Sequence, residues 1–445
     1  MIFSSLKYLQ PTNYFSLART KGNFVFPKAD QLSLSVLDSL TRDDFYTSRL
    51  AKDYDLSWQA IQSGYVGDVA TYTTFEKLPA IDEYRFLNKN FSKFWVFYVL
   101  LFRIFSLKNP FIELYSFFKV LKTRRITYSK QSIPYEDYQN FQSSFITQTP
   151  LVSIIIPTLN RYPYLKDVLM DLEKQTYKNF EVIVVDQTEP FKENFYDDWQ
   201  LDIKFWYQQE KALWRARNEA IQSSKGEYVL LYDDDSLIEE NWIFEHLKAL
   251  DYFKADISSG VSLSVLGAKV PDMYSFFKIS DQIDTGNVLI KKDVFRKIGL
   301  FDRQFEKQRM GDGEFGLRTF LAGFKNISNP FAKRVHLKVG TGGLRQMGSW
   351  DGFRPKKWLD PRPIPSVLYL FRKYFGKTNT IYSLLRTIPQ SIVPYMYKSN
   401  KIIIISTYFG LLIIWPLILF QLIKSWSRST IKLKHGAIIE RINYV

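Results

Sequence analysis

Three consecutive carboxylates, Asp233-Asp234-Asp235, follow the apolar run Glu227–Tyr232 (EYVLLY). Adjacent carboxylates repel one another unless a cation holds them. Hard divalent ions take such oxygen ligands and bridge them to phosphate oxygens. A solvated acidic turn ahead of the Glu239-Glu240 helix opening is the plainer alternative. The triplet has company, however. An apolar run ends in Pro157-Thr158-Leu159-Asn160-Arg161, and a second ends in Asp186. A lone Asp after a strand reads as a helix cap. Two acidic strand ends on one sheet edge, with a basic loop between them, read as a nucleotide pocket. No G-x-G-x-x-G follows any of these strand runs and no Walker loop is present, so dinucleotide and ATP readings lose support.

The elements that must position these residues are legible as alternating periods. Val152–Pro157, Phe180–Val185 and Glu227–Leu231 are buried-strand runs. Tyr164–Gln175 has helical spacing, with Leu165, Val168, Leu169 and Leu172 on one face, and Arg217–Ser223 and Glu239–Leu250 also read as helix. Strands alternating with helices predict an α/β domain around a mostly parallel sheet. Ligands of such sheets sit at the carboxyl ends of the strands, where the acidic residues fall.

Composition excludes several classes. The chain has no cysteine, which removes disulfide scaffolds, thiol nucleophiles and zinc ribbons. With three histidines, His246, His336 and His435, a metal site must lean on carboxylates. The net charge of +15 suggests nucleic acid until it is mapped. Residues 1–150 carry a net +5, residues 151–350 a net −2, and residues 351–445 a net +12. The excess avoids the α/β segment and sits in a tail that also holds the longest apolar run. That pattern suits an anionic membrane surface better than a nucleic-acid groove.

Three regions follow: an N-terminal extension of unknown role (1–150), the α/β domain (151–350), and a basic, apolar, helical membrane-association region (351–445). No signal peptide is read at the N-terminus, so a cytoplasmic start is expected. Phe94–Leu107 is apolar but broken by Arg103, so it reads as a buried helix or a membrane-surface helix. Ile402–Ile423 has 22 residues without a charge between Lys401 and Lys424. It is open to three readings: a bilayer span, a bent interfacial segment or a core helix.

The runs VSIIIPTLNRYPYLKDVLMDLEKQTYKNFEVIVVDQT and ARNEAIQSSKGEYVLLYDDDS resemble the family 2 glycosyltransferases. Further matches are Thr285–Ile290, Ile298–Asp302 and Gly311–Arg318, so the resemblance covers about Leu151 to Arg345. It implies a GT-A fold, a Rossmann-like domain that binds a nucleotide sugar. Position by position, it implies that Thr158 and Asp186 contact base and ribose, with Pro157, Asn160 and Arg161 in the same loop. Arg217 and Asn218 would shape the pocket floor and diphosphate site. Asp233, with Asp234 beside it, would meet ribose or metal, and Asp235 would ligate Mg²⁺ or Mn²⁺. His336 would be a further ligand. The Gly340–Arg345 stretch would be a lid, with Arg345 reaching the diphosphate. Trp214 and Trp350 are candidates to stack on sugar rings, although most tryptophans are core.

Asp312 matches the family's general base, with Glu314 as the alternative, and both equally suit the cap of a helix running to about Leu321. The sequence departs from the pattern at Gly311, where the family often has Glu. The resemblance implies an inverting, metal-dependent transfer from a nucleoside-diphosphate sugar, with a UDP-sugar favoured, to a glycan or lipid-linked acceptor. The expected setting is surface-polysaccharide synthesis at the cytoplasmic face of the plasma membrane. A non-catalytic sugar-nucleotide or glycan-binding subunit, and a nucleotide-sugar hydrolase, are the alternatives. No nucleic-acid partner is expected.

Overall fold

The computed structural model describes residues 1–264, 268–340, 342–344, 351–355, 357–393, 397 and 401–442. The chain forms two compact units. One is made of residues 1–63, 67–131 and 347–436, and the other of residues 64–66, 132–346 and 437–445.

The first unit is helical. It opens with α1 (Leu6–Leu9), α2 (Leu34–Asp38), α3 (Arg49–Gln62), α4 (Ala80–Asn90), α5 (Lys93–Phe105) and α6 (Pro110–Lys119). Its core is aromatic: Phe3 stacks on Phe86 at 3.6 Å, and Trp58 meets the Phe86 edge at 5.3 Å. The edge-on Trp58 pair adds roughly 1 kcal/mol beyond its burial. Buried charges here are paired or, as at Asp82, met by hydroxyl and backbone donors. The Lys89 ammonium sits between Asp55 and Asp43, and Arg85 grips Asp43 at 2.6 Å.

The second unit carries the sheet. After α7 (Ser144–Gln148) come β1 (Val152–Thr158), α8 (Tyr162–Glu173), β2 (Phe180–Asp186), β3 (Ile203–Tyr207), α9 (Leu213–Ser223) and β4 (Tyr228–Tyr232). Then follow β5 (Ser236–Ile238), α10 (Trp242–Tyr252), β6 (Ile257–Leu263), β7 (Lys278–Ile279), β8 (Asn287–Lys291), α11 (Lys292–Ile298), α12 (Gly311–Leu321) and β9 (Asn326–His336). The spatial order is β3-β2-β1-β4-β8-β6-β9-β5, with β7 paired to β9. All seven residues of β1 are buried, as a strand covered on both faces must be. Each buried Ile or Val of β1 contributes roughly 1.5–3 kcal/mol relative to exposure.

The sheet is mixed, which corrects the expectation of a mostly parallel one. β1, β2, β3 and β4 pair in parallel, because helices or long crossovers return the chain between them. β8 lies antiparallel to β4, with Asn287 opposite Tyr232, and antiparallel to β6. No helix separates β7 from β8; a loop at 280–286 delivers the chain to the carboxyl end of β4, so β8 must run backwards. β9 pairs in parallel with β6 and antiparallel with β5.

The tail, with α13 (Pro365–Ile392) and α14 (Lys401–His435), belongs to the first unit. α13 breaks at Gly376, whose φ of +75° a side chain would resist. Arg372 lies over the Trp426 ring at 4.3 Å and donates to Ser429 and Thr430, locking α13 to α14. Among the described residues no helix is long and apolar enough to cross a membrane. Within Ile402–Ile423, the side chains at 402–409, 411 and 412 lie outside that description, as do Arg345 and Trp350.

His246 is fully buried in the second unit, with Nδ1 2.9 Å from Ser258 Oγ and Nε2 3.0 Å from Asn287 Oδ1. Burial lowers its pKa to about 4, against the hydrogen bond to Asn287. The imidazole is therefore neutral in the folded state. Between pH 6.5 and 4 the unfolded chain binds a proton that the folded chain refuses. The contribution is fully present above about pH 6.5 and falls as pH drops through that window, by about 3 kcal/mol in all. Urea midpoints at pH 7 and pH 4.5 should differ less in His246→Gln than in the parent; equal differences would contradict this.

Candidate active site

The carboxyl edge of the sheet brings the acidic triplet together with three arginines. Thr158 ends β1 opposite Asp186 of β2, and β4 stops at Tyr232, one residue before the triplet. Asp233 accepts from Arg217 Nη2 at 2.9 Å and from Arg334 Nη1 at 2.8 Å. Asp234 accepts from Thr158 Oγ1 at 2.8 Å and Arg161 Nη1 at 2.9 Å. Asp235 Oδ2 lies 3.1 Å from Arg161 Nη1, and its Oδ1 lies 3.3 Å from His336 Nε2. The antiparallel register of β5 and β9 sets Ser236 opposite His336, which is what carries the imidazole to Asp235.

Charge balance explains the arrangement. Burial pushes the Asp234 carboxyl up to about 6, against the pull of Arg161 and with a further push from Asp235. Burial also works against the Arg334 guanidinium, but Asp284 and Asp233 outweigh it and raise its pKa. Arg334 is held further by Ser262 Oγ at 2.7 Å and Asp284 at 3.0 Å. Arg217 is fully buried and donates to Thr285 Oγ1 and the Thr285 carbonyl. Gly286 makes this possible: a Cβ there would lie 2.1 Å from Arg334 Nη1 and 2.2 Å from Asp233 Oδ2.

Asp233, Asp235 and His336 each offer one ligand atom, and those atoms lie within 4.8 Å of one another. Ligands held 2.0–2.6 Å from one ion must be within about 5 Å of each other, so the spacing fits. Two carboxylates and an imidazole suit Mn²⁺ or Mg²⁺. The segment after β9 folds over this cluster. Leu337 N donates to the Asp235 carbonyl at 2.9 Å, Arg161 Nη2 donates to the Val339 carbonyl at 3.1 Å, and Gly343 N donates to the Leu159 carbonyl at 2.7 Å. Gly342 and Gly343 both have positive φ, and a Cβ on either would strike the Leu159–Arg161 loop.

Other candidates are placed differently. The Asp186 carboxylate accepts from Tyr162 and Tyr196 hydroxyls at 2.7 and 2.9 Å and from Thr188 N at 2.9 Å. Pro157 is buried within β1, while Asn160 is exposed, with φ +54° and its N–H on Thr188 Oγ1. Asn218 is buried and exchanges two 3.0 Å bonds with the Phe301 backbone, clamping that loop to α9. Asp312 is half-buried in the first turn of α12, with Oδ1 accepting from Gly313 N at 2.8 Å. Glu314 is fully buried, and both its oxygens accept from Arg318 Nε at 2.9 Å.

Trp214 is a packing residue, and it explains Gly311. Its ring lies 4.9 Å from Phe301 and its Nε1 donates to the Phe305 carbonyl. A Cβ on Gly311 would fall 2.4 Å from Trp214 Cζ2. The indole thus occupies the space a side chain at 311 would need, and it also lies 5.4 Å from the Arg217 guanidinium carbon. Gly311→Ala should destabilise the second unit by about 1–3 kcal/mol and lower turnover, read by urea unfolding and product formation. Parent-like stability in that variant would mean Trp214 can move aside.

Arg334, Asp284, Tyr162 and Tyr196 were missed by sequence reasoning. Arg334 did carry a signal: it lies two residues before His336 in a strand, so both share one face.

The sequence model of Glycosyl transferase family 2 matches residues 153–301. An uncharacterized glycosyltransferase of Rickettsia typhi is 30% identical over 237 residues, which are 47% of this chain and 73% of that protein. Glycosyltransferase GlyA of Streptococcus pneumoniae is 27% identical over 163 residues, 36% of this chain and only 22% of that longer protein. The chain belongs to glycosyltransferase family 2 and is a glycosyltransferase. Among solved structures, residues 1–349 of S. aureus TarS in complex with UDP-GlcNAc are 18% identical, covering 62% of this chain and 81% of that one at a TM-score of 0.40.

Proposed function

We propose that this enzyme is an inverting, metal-dependent transferase with a GT-A catalytic unit. It would move a sugar from a nucleoside diphosphate, a UDP-sugar in the favoured case, to a glycan or lipid-linked acceptor during surface-polysaccharide synthesis at the cytoplasmic face of the plasma membrane. The observation that carries this reading is the Asp233, Asp235 and His336 cluster, held at the strand ends by Arg161, Arg217 and Arg334.

Asp233, Asp235 and His336 would hold Mg²⁺ or Mn²⁺. Bound there, the ion would offset the charge that builds on the departing diphosphate. The chain's own residues do the rest. Arg217 and Arg334 fix both oxygens of Asp233, and Arg161 ties Asp234 to Asp235, so the carboxylates need no reorganisation. Pro157, Thr158, Asn160 and Asp186 line the nucleoside side. Asp312 takes the proton of the acceptor hydroxyl as that oxygen bonds to the anomeric carbon from the face opposite the leaving group. The bond from the anomeric carbon to the diphosphate oxygen breaks in the same displacement, which inverts the centre. Glu314 serves the helix instead, because it is fully buried and its carboxylate is matched to Arg318 one turn on.

Product analysis tests the reading. A labelled donor with added acceptor should yield a glycoside of opposite anomeric configuration. Free sugar alone would make the protein a hydrolase, and no consumption of any donor would favour a binding subunit.

A further inference from the structure

The α5–α6 hairpin of the first unit is built to be rigid on one side and greasy on the other. α5 buries Val96, Val99 and Leu100, and α6 buries Glu113, Ser116 and Phe117. Arg103 cross-links the pair, donating to Glu113 at 2.6 and 2.8 Å, and reaches Ser5 Oγ at 2.9 Å. The outer face carries Phe105, Leu107, Phe111, Ile112, Tyr115 and Phe118, which are 54–94% exposed. Scattered exposed apolar residues are ordinary, but six large ones within fourteen residues of one hairpin are not.

The tip adds a second observation. Leu107, 94% exposed, has φ +59°, a conformation that favours glycine or asparagine. A leucine there is unfavourable both for its backbone and for its hydration, so folding alone does not account for it.

Charge identifies the occupant. Among residues 93–125 the only acid is Glu113, which is buried against Arg103. Lys108 flanks the tip; at the far end of the hairpin exposed Lys119 closes α6 and exposed Lys122, Arg124 and Arg125 follow it. The last four border a cavity of about 720 Å³ whose wall also includes Arg42, Arg85, Lys89 and Lys130 and, on the acidic side, Asp43 and Asp44. An apolar hairpin with Lys108 at its tip and a basic collar at its base matches a leaflet: acyl chains receive the rings, and phosphates meet the ammonium and guanidinium groups. A second copy of this chain would set the two basic collars against each other, which repels.

We propose that the α5–α6 hairpin is a membrane-docking element that sinks its tip into a leaflet containing anionic phospholipid. This locates in one element the membrane-side setting of the function proposed above, and its test involves no sugar transfer. Because the chain has no cysteine, Leu107→Cys can be labelled alone in the full-length protein with an environment-sensitive fluorophore. Vesicles of phosphatidylcholine plus phosphatidylglycerol should shift its emission to the blue. Pure phosphatidylcholine should do so more weakly, and high salt should reduce the effect. The same label at exposed Lys225→Cys should not respond. Phe105→Ser with Phe111→Ser, both at exposed sites, should weaken vesicle binding roughly tenfold or more while leaving the fold and donor binding intact. Vesicle binding with no shift at 107 would overturn the proposal by placing the contact elsewhere. So would no vesicle binding at all, or a shift that grows with protein concentration without lipid.

Discussion

Asp312→Asn should keep donor binding within about twofold and lower the transfer rate by about 100- to 10,000-fold, the range expected when a general base is removed. The isostere retains the oxygen that accepts from Gly313 N, so the first turn of α12 is preserved and the loss falls on kcat. Glu314 provides the contrast. Its carboxylate is buried and matched to Arg318, whose other nitrogens hold the Ile298 and Leu300 carbonyls. Glu314→Gln leaves a buried guanidinium without its counter-charge, so it should cost stability, on the order of 3–5 kcal/mol, with residual turnover in the folded fraction. Single-turnover rates and urea midpoints separate the two variants. A stable Glu314→Gln that has lost turnover, beside an active Asp312→Asn, would reverse the assignment.

The second large effect is at Asp235. Its two oxygens face different partners, Arg161 on one side and His336 on the other, so it is the triplet member through which the imidazole joins the cluster. Asp235→Asn removes the anion while keeping the shape. It should weaken metal-dependent donor binding by at least about 100-fold, because a hard divalent ion gains little from a neutral amide in place of a carboxylate. Asp234→Asn tests a different role. Asp234 is tied to Thr158 and Arg161 and stands outside the ligand cluster, so its loss should loosen the β1 loop without removing the response to metal.

Local features of the site were legible in the sequence, and those set by strand pairing were not. Val152–Pro157 and Phe180–Val185 announced themselves as buried-strand runs, and the in-register pairing of β1 and β2 puts Thr158 beside Asp186 as a sheet-edge reading requires. Helix α12 runs from Gly311 to Leu321, as a helix with Asp312 and Glu314 in its first turn and an end near Leu321 was expected to. The direction of β8 was not readable, because NVLIK has the same pattern in either orientation; only the 280–286 loop decides it. That reversal is what brings Thr285 and Gly286 to Arg217 and Asp233. Likewise, Arg334 looks like a surface residue in a linear reading until β9 is placed against β5 and β6. The joining of residues 1–63 and 67–131 with the tail into one unit depends on groups far apart in sequence, such as Arg386 reaching the Leu9 carbonyl.

The most direct test is calorimetric binding of UDP-, GDP- and dTDP-sugars to the parent and to Asp235→Asn, each with and without Mn²⁺. The geometry at the end of β4 predicts that one donor class binds the parent only with the ion, and that Asp235→Asn loses this binding. Equal binding by both proteins, or binding indifferent to Mn²⁺, would contradict a metal-assisted donor site at Asp233, Asp235 and His336.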